Sequence, residues 1–232
     1  MTHGNSSTDS VLLVPCALAI MVGYHLFLLH RILRRPHTTA IGYENHNTVA
    51  WVRRMAWAAA PEEAALALGV IADGISASTT LASLCLALPA LIGAWELSGT
   101  SAAAAMPSAA GAAGDTSQLA TATVKYASLL ACFIASFTCF VHAALGCSDS
   151  DDAPAPVSHV QRAVLRGGGF WAAGLRALYL ATALLVWAAF GPAPMLACSV
   201  LAVAVLHLLD SNSVPLHCHQ FTPGSKGRSA TI

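Results

Sequence analysis

Residues 30–55 have the sequence HRILRRPHTTAIGYENHNTVAWVRRM, and this stretch decides how the rest of the chain is arranged. It holds five of the eleven Lys and Arg residues, namely Arg31, Arg34, Arg35, Arg53 and Arg54. It directly follows an almost uninterrupted apolar run over residues 11–29. Because Lys and Arg are retained on the cytoplasmic side, a basic loop beside such a run orients a membrane protein. The five arginines are therefore predicted to determine topology, with an inner loop over residues 30–60.

The composition excludes an ordinary soluble domain. Of the 232 residues, 56% are hydrophobic and 9% are charged, and the mean hydropathy is +0.64. Soluble domains have about 25% charged residues. The formal net charge is zero, which argues against nucleic-acid binding, because phosphate contacts need a clustered basic excess. The composition predicts an all-α, multi-pass transmembrane helical bundle, with the lipid bilayer as its first partner.

Apolar runs and their breaks predict five transmembrane spans. The spans lie at about residues 11–29, 74–95, 124–145, 175–190 and 195–209. Pro61, followed by Glu62 and Glu63, indicates a helix start and therefore a helical extension ahead of the second span. The apolar run over 175–209 is too long for one crossing of a hydrocarbon core about 30 Å thick. Gly191-Pro192 divides it, although a single kinked span would leave four spans in all.

Charge in the loops favours five spans, with the N-terminus outside and the C-terminus cytoplasmic. In that arrangement the basic residues of the inner loop, of residues 162–176 and of the C-terminal tail all lie inside, and Lys125 is the exception. The predicted organisation is an outer tail at 1–10, a single transmembrane domain at 11–210 with an outer low-complexity linker at 97–123, and a flexible cytoplasmic tail at 211–232. The expected location is the plasma membrane or the endomembrane system.

Ionisable residues from different predicted spans share one depth in the membrane. They are Asp73, His142, Arg176, His207 and Asp210, here termed the inner polar cluster. Charged groups in or near the bilayer are costly unless they are paired or hydrated. One hypothesis is that they form a cytoplasm-facing cluster, in which Asp73–His142 and Arg176–Asp210 are the predicted pairs. The alternative is that each side chain reaches interfacial water separately.

Small and polar residues form a stripe on each of two predicted helices. The first stripe is Gly69, Asp73, Ser76, Thr80 and Ser83, and the second is Ser128, Cys132, Ala135, Cys139 and His142. Steps of three and four residues place each set on one helix face. Such stripes let membrane helices approach closely, so helix packing is the favoured interpretation. A polar path between the two stripes is the alternative.

Sequence motifs for catalysis or nucleotide binding do not occur. The chain contains no GxSxG, HExxH, GxxxxGK[ST] or GxGxxG. Its seven cysteines form no CxxC pair and are odd in number, which indicates neither a disulfide framework nor a zinc ribbon. His217-Cys218-His219 lacks the further ligands of a closed metal site. No metal or cofactor is expected, and an enzyme is the least favoured class.

Several motifs spread over residues 24–210 carry a resemblance to a known family. They are Tyr24-His25, Arg35-Pro36-x-x-Thr39-x-Ile41-Gly42, Trp51-Val52, Thr80-Leu81-Ala82-Ser83, Gly174-Leu175-Arg176-x-x-Tyr179 and Trp187-x-x-Phe190-Gly191-Pro192. Their combined spacing resembles the plant and bacterial membrane family catalogued as domain of unknown function 599, and looks like its plant branch. Where that family usually has an Arg-Asn pair, this chain has Ala72-Asp73. The resemblance implies a multi-pass membrane protein and supplies no established activity.

Two classes of function remain open from the sequence. A non-enzymatic scaffold or accessory subunit is favoured by the two stripes and the lack of catalytic motifs. Its partners would be other membrane proteins or further copies of the chain. A small-solute or proton-coupled transporter would use the inner polar cluster, because intramembrane ionisable residues often mark transport pathways. The two halves of the chain show no inverted repeat that would support transport.

Overall fold

The regular elements of the computed structural model are all helices. It describes residues 5–35, 38–57, 61–104, 112–148 and 157–211, with side chains described over 12–35, 38–57, 61–95, 120–146 and 157–211. The helices are α1 (Asn5–Arg34), α2 (Ala40–Ala56), α3 (Pro61–Ala104), α4 (Ala112–Ser148), α5 (Val157–Phe190) and α6 (Pro192–Asp210). The predicted start of a helix at Pro61 is confirmed. The C-terminal tail beyond residue 211 lies outside the described residues.

Every helix except α2 is long and apolar enough to cross a membrane, which gives five candidate spans in the described chain. The apolar segments are Leu12–Arg34, Pro61–Trp95, Ala120–Gly146, Val157–Phe190 and Pro192–Asp210. Their outward faces carry large apolar side chains such as Leu26, Leu91 and Leu201, each more than half exposed. Lipid acyl chains are the environment that such faces fit. The prediction of a five-span transmembrane helical bundle is confirmed.

A glycine turn separates the last two spans. Gly191 has a φ of 92°, a backbone conformation that residues with a Cβ rarely adopt. Its N–H donates to the Trp187 carbonyl at 3.1 Å, and Pro192 then occupies the first turn of α6. A proline at that position lacks only an N–H that would have no partner within the helix. The alternative of one kinked span over residues 175–209 is therefore wrong.

The helices extend beyond the predicted spans. α1 begins at Asn5, inside the segment predicted as an outer tail. α3 continues to Ala104 and α4 begins at Ala112, so both ends of the predicted linker at 97–123 are helical. Residues 105–111 lie outside the described part of the chain. The difference has a physical cause, because alanine has the highest helix propensity and an existing helix extends more easily than a new one nucleates.

The predicted inner loop contains helix α2. Thr39 caps this helix, since its Oγ1 accepts a hydrogen bond from the Gly42 N–H at 3.2 Å. Before the cap, Arg31 donates from Nε to the Thr38 hydroxyl at 3.0 Å and from Nη2 to the Thr38 carbonyl at 2.9 Å. Thr39 also forms an antiparallel bridge with Ser211, which follows α6. The start of α2 is thus fixed to the ends of α1 and α6.

Helix α4 packs against two of the other spanning helices. It contacts α5 most extensively and α3 next, whereas α1 packs mainly against α6. Between α4 and α5, the fully buried Phe140 meets Trp171 edge to face, with ring centroids 5.4 Å apart. Gly174 allows this approach, because a Cβ there would lie 2.9 Å from the Phe140 ring. Absence of a side chain at Gly174 therefore sets the spacing of the two helices.

A buried polar link joins three of the spanning helices. Ser136 of α4 donates to the carbonyl of Gly174 in α5 at 2.8 Å. Cys85 of α3 contacts the Ser136 hydroxyl with its Sγ at 3.5 Å. Ser136 is fully buried, so these contacts replace the hydration that its hydroxyl would have in water. Hydroxyl bonds of this kind hold membrane helices together where apolar contact alone gives little preference.

Candidate functional site

An ion pair between α5 and α6 joins two members of the inner polar cluster. Arg176 Nη2 lies 3.0 Å from Oδ1 and 3.1 Å from Oδ2 of Asp210. The Tyr24 hydroxyl of α1 donates to Oδ2 of the same carboxylate at 2.7 Å. Only 19% of the Arg176 side chain and 12% of the Asp210 side chain are exposed. We term Tyr24, Arg176 and Asp210 the Tyr24 network, and it ties three helices together at one end of the bundle.

His25 lies beside this network. Its Nδ1 is 3.5 Å from Nη1 of Arg176. Because a guanidinium only donates, the contact requires Nδ1 as an acceptor, which places the ring proton of a neutral His25 on Nε2. Within the described residues, that buried Nε2 has no hydrogen-bond partner. The centroid of the Tyr24 ring lies 5.8 Å from that of His25, with the rings tilted, and 6.3 Å from that of His207, in a T-shaped arrangement.

The structure brings together only part of the inner polar cluster. Arg176 and Asp210 form the expected pair, and His207 reaches them indirectly through the Tyr24 ring. His142 is exposed and stacks on Phe170, with ring centroids 5.2 Å apart. Asp73 is exposed on α3 and, among the described side chains, forms no ion pair with His142. The predicted Asp73–His142 pair is therefore wrong, because the two side chains have different surroundings.

The stripe of small and polar residues on α3 faces outward. All five of its members, Gly69, Asp73, Ser76, Thr80 and Ser83, are exposed. The hydroxyls are satisfied within their own helix, since Thr80 donates to the Ser76 carbonyl at 2.8 Å and Ser83 to the Thr79 carbonyl at 2.9 Å. The stripe on α4 is mixed, with Ser128, Cys132 and Cys139 half-buried and Ala135 and His142 exposed. The α3 stripe therefore does not mediate helix packing within one chain, and the two stripes do not enclose a polar path between them.

The topology-determining arginines differ in their surroundings. Arg34, Arg35, Arg53 and Arg54 are exposed, as expected for charges that meet water or lipid headgroups, whereas Arg31 is half-buried against Thr38. Lys125, the exception in the charge count, lies with Nζ 5.3 Å from the centre of the Trp187 ring. A cation over an indole face is attracted by the ring electrons. The contact with Trp187 thus stabilises the Lys125 ammonium, which the retention of basic residues on the cytoplasmic side does not explain.

A cavity of about 760 Å³ lies between α2 and the spanning helices. We term it the α2 cavity. Its polar wall is formed by α2, which contributes Glu44, Asn45, Asn47, Thr48 and Trp51. Its apolar walls come from α3, α4 and α5, through Val70, Ile71, Ala143, Val164, Leu165 and Trp171. The cavity is therefore amphipathic, with hydrogen-bonding groups on one side and hydrocarbon on the other.

Glycines keep the apolar wall open. Gly74 of α3 and Gly168 of α5 line the cavity, and a Cβ added at either would meet no atom within 4 Å. A Cβ at Gly69 or Gly169 would also meet no atom within 4 Å, but these two glycines do not line the cavity. Larger side chains at the first pair would take up cavity volume without a backbone clash. The chain thus offers both filling positions and matched control positions.

Sequence reasoning missed Tyr24 and the whole α2 cavity. Tyr24 stands out as a hydroxyl in an apolar run, but its role depends on Asp210, which is 186 positions away in the chain. α2 carried a usable signal, because Thr39 begins a helix-start pattern and Glu44, Thr48 and Trp51 recur at steps of four and three. The five arginines of this stretch predict an inner loop, and the helical pattern between them is weaker than that charge signal. Within the described residues no group of three His, Cys, Asp or Glu side chains could hold a metal ion.

Comparisons with known proteins identify a family and no relative of known activity. The family described as "Protein of unknown function, DUF599" matches residues 12–215, nearly the full 232-residue chain. No curated protein matches the chain. No solved structure matches it either. The match covers all five candidate spans and α2, and the chain therefore belongs to the DUF599 family of proteins of unknown function.

Proposed function

We propose that this protein is a non-enzymatic membrane protein that binds a small amphiphilic molecule in the α2 cavity. The observation that carries the proposal is the amphipathic cavity of about 760 Å³. Ligand cavities of proteins are commonly about 300–1,000 Å³. A purely apolar guest would cover the half-buried side chains of Asn45 and Thr48 without offering them hydrogen bonds. A purely polar guest would lose its own hydration against the hydrocarbon walls without compensation. An amphiphile satisfies both sides.

Binding is favoured over catalysis by the chemistry of the cavity wall. Among the lining residues that the structure describes, Glu44 is the only acidic or basic side chain. Acid–base and nucleophilic mechanisms need a second reacting group within hydrogen-bond distance of the first. The wall instead offers amides, two hydroxyls and indole rings, which orient a ligand without reacting with it.

Solute transport through the inner polar cluster receives less support. Arg176 and Asp210 are each other's partners and also share Tyr24, so their charges are already compensated. Neither residue lines the α2 cavity. We therefore assign the Tyr24 network to holding α1, α5 and α6 together rather than to carrying a solute.

A scaffold role is a second candidate, favoured by the outward-facing stripe on α3. In a bilayer, a stripe of small residues such as Gly69, Ser76 and Thr80 suits close contact with a helix of another chain or of a second copy. Cross-linking through cysteine at Thr80 or Leu86 tests this, since both positions are exposed on α3 and Leu86 lies about 120° away from Thr80 around the helix, off the stripe. A scaffold predicts dimers through Thr80→Cys alone. Equal or absent cross-linking at both positions would overturn it.

The binding proposal is tested by native mass spectrometry of the purified protein with added phosphatidylcholine. We expect a saturable adduct of one lipid per chain. The double variant Gly74→Leu/Gly168→Leu fills the α2 cavity and should lose the adduct. The control Gly69→Leu/Gly169→Leu adds the same bulk on the same helices outside the cavity and should retain it. Identical adducts in all three proteins would refute binding in the cavity.

A further inference from the structure

One face of α2 carries an acid, a hydroxyl and an indole toward the same space. Glu44, Thr48 and Trp51 are separated by four and three residues, so they share one helix face, and all three line the α2 cavity. Glu44 and Trp51 are two helical turns apart, which is about 10.5 Å along the axis. A headgroup placed between them would lie over Thr48.

The charge of the cavity wall is negative. Glu44 is the only charged side chain among the lining residues that the structure describes. Arg166 lies in sequence between the lining residues Leu165 and Gly167, but it is exposed and, like Arg53 and Arg54 of α2, does not line the cavity. A purely anionic headgroup would therefore face a like charge without a basic partner, whereas a cationic one would gain an opposite charge.

Two indole rings line the same cavity. Trp51 comes from α2 and Trp171 from α5, so they belong to different walls of the cavity. Trp171 is held in place by Phe140, which meets it at 5.4 Å with an interplanar angle of 69°. Indole is the aromatic group that attracts a cation most strongly, and paired aromatic rings near an acid suit quaternary ammonium groups in particular.

We infer that the amphiphile bound in the α2 cavity carries a quaternary ammonium head, held by Glu44, Trp51 and Trp171. Its hydrocarbon chain lies along Val70, Ile71 and Leu165 on the apolar walls. This inference rests on the proposed function, because it names the class of ligand for the same cavity. Two sources supply this chemistry, namely the phosphatidylcholine of the bilayer and a free alkyl trimethylammonium compound.

The test compares ligands by native mass spectrometry of the full chain. Phosphatidylcholine and hexadecyltrimethylammonium carry the quaternary ammonium, whereas phosphatidylglycerol and diacylglycerol with matched acyl chains do not. We expect the ammonium-bearing ligands to bind about tenfold more tightly than the others. Binding of phosphatidylcholine alone identifies a bilayer lipid as the occupant, and binding of hexadecyltrimethylammonium alone identifies a free cation. Equal binding of phosphatidylglycerol overturns the inference.

Variants assign the preference to the named side chains. Glu44→Gln removes the charge but keeps the shape, and should weaken ammonium binding about tenfold while diacylglycerol binding is unchanged. Trp51→Leu keeps an apolar side chain at this position but removes the aromatic ring, and should have the same selective effect. The control Glu62→Gln removes an exposed acid at the start of α3 that does not line the cavity, and should have none. An unchanged preference in both Glu44→Gln and Trp51→Leu contradicts the inference.

Failure of the inference differs from failure of the proposed function. If every ligand binds equally and Gly74→Leu/Gly168→Leu abolishes binding, the cavity binds amphiphiles and the ammonium preference is wrong. If no ligand forms an adduct that the filling variant removes, both are wrong.

Discussion

The carboxylate of Asp210 in α6 is the acceptor on which contacts from α1 and α5 converge. It accepts from Arg176 at 3.0 Å and from Tyr24 at 2.7 Å, in surroundings that leave only 12% of its side chain exposed. Removal of one partner of a mostly buried ion pair leaves the other charge uncompensated. Asp210 therefore matters more to stability than its position at the end of α6 suggests.

Asp210→Asn should lower the stability of the detergent-solubilised protein by about 3 kcal/mol, because the Arg176 charge loses its counter-ion. Tyr24→Phe should cost about 1 kcal/mol, since it removes one hydrogen bond and little packing. Thermal unfolding followed by circular dichroism measures both effects. Asp73→Asn is the matched control on an exposed aspartate without an ion pair, and should change stability by less than about 0.5 kcal/mol. An equal loss from Asp73→Asn would contradict the structural role given to Asp210.

Gly174 and Gly169 of α5 should respond to alanine in opposite ways. At Gly174 the new Cβ would lie 2.9 Å from the buried Phe140 ring, so Gly174→Ala should cost about 1–3 kcal/mol. At Gly169 a Cβ meets no atom within 4 Å, so Gly169→Ala should stabilise the helix by about 0.5–1 kcal/mol. The same thermal unfolding assay compares the two. A stabilising Gly174→Ala would show that α4 and α5 are not in close contact.

The pairing of a residue could be predicted from the sequence where its charge needs a partner in the membrane. The expense of a charge in a membrane identified Arg176 and Asp210, and the structure pairs them. The same argument failed for Asp73 and His142, because an exposed side chain near the end of a span can be hydrated instead. Depth along a helix follows from the sequence, but the direction in which a side chain faces depends on packing that one chain segment does not specify.

Helix α2 depends on its cap. Thr39→Ala removes the hydroxyl that accepts from the Gly42 N–H, which should destabilise the start of α2 by about 1 kcal/mol. Hydrogen exchange measured by mass spectrometry should then be faster over residues 40–47 and unchanged in α4. Thr39→Ser keeps the acceptor and should retain wild-type protection. Equal protection in Thr39→Ala and wild type would show that tertiary contacts alone hold α2.

Spans were easier to predict than α2. A span must satisfy its backbone hydrogen bonds internally and remain apolar for about 20 residues, so hydropathy alone reveals it. Gly191-Pro192 was also readable, because a positive φ and a missing N–H are local properties. α2 has neither signature, since its polar face lines a cavity and its arginines lie at its end. Its location depends on contacts with α5 that are remote in sequence.

The orientation of the whole molecule is predicted from charge. Five crossings would put the two chain ends on opposite sides of the membrane, and the charge rule predicts that the C-terminus and the exposed Arg53 of α2 face the cytoplasm. An impermeant thiol reagent applied to intact cells should label a cysteine appended to the N-terminus. Arg53→Cys and a C-terminal cysteine should be labelled only after permeabilisation, in a background without other cysteines. Labelling of Arg53→Cys in intact cells would contradict the predicted orientation and support the opposite one.

The bundle as a whole could be predicted from sequence, and its cavity could not. Hydropathy gives the number of helices, but the space between α2, α3 and α5 depends on how far the helices stand apart. Small residues such as Gly74 and Gly168 leave that space open, yet glycines in membrane helices equally often serve close packing, as Gly174 does. Whether a glycine serves close packing or leaves a cavity depends on whether a side chain of a neighbouring helix lies against it.

The central claim is that the α2 cavity holds an amphiphile, and a map of the wild-type protein in phosphatidylcholine nanodiscs tests it most directly. Electron cryo-microscopy with a bound antibody fragment provides such a map for a chain of 23.8 kDa. We predict elongated density along Val70 and Leu165, with its head between Glu44 and the two indole rings. A cavity that contains only water, or that has closed with α2 packed against α3, would contradict the account.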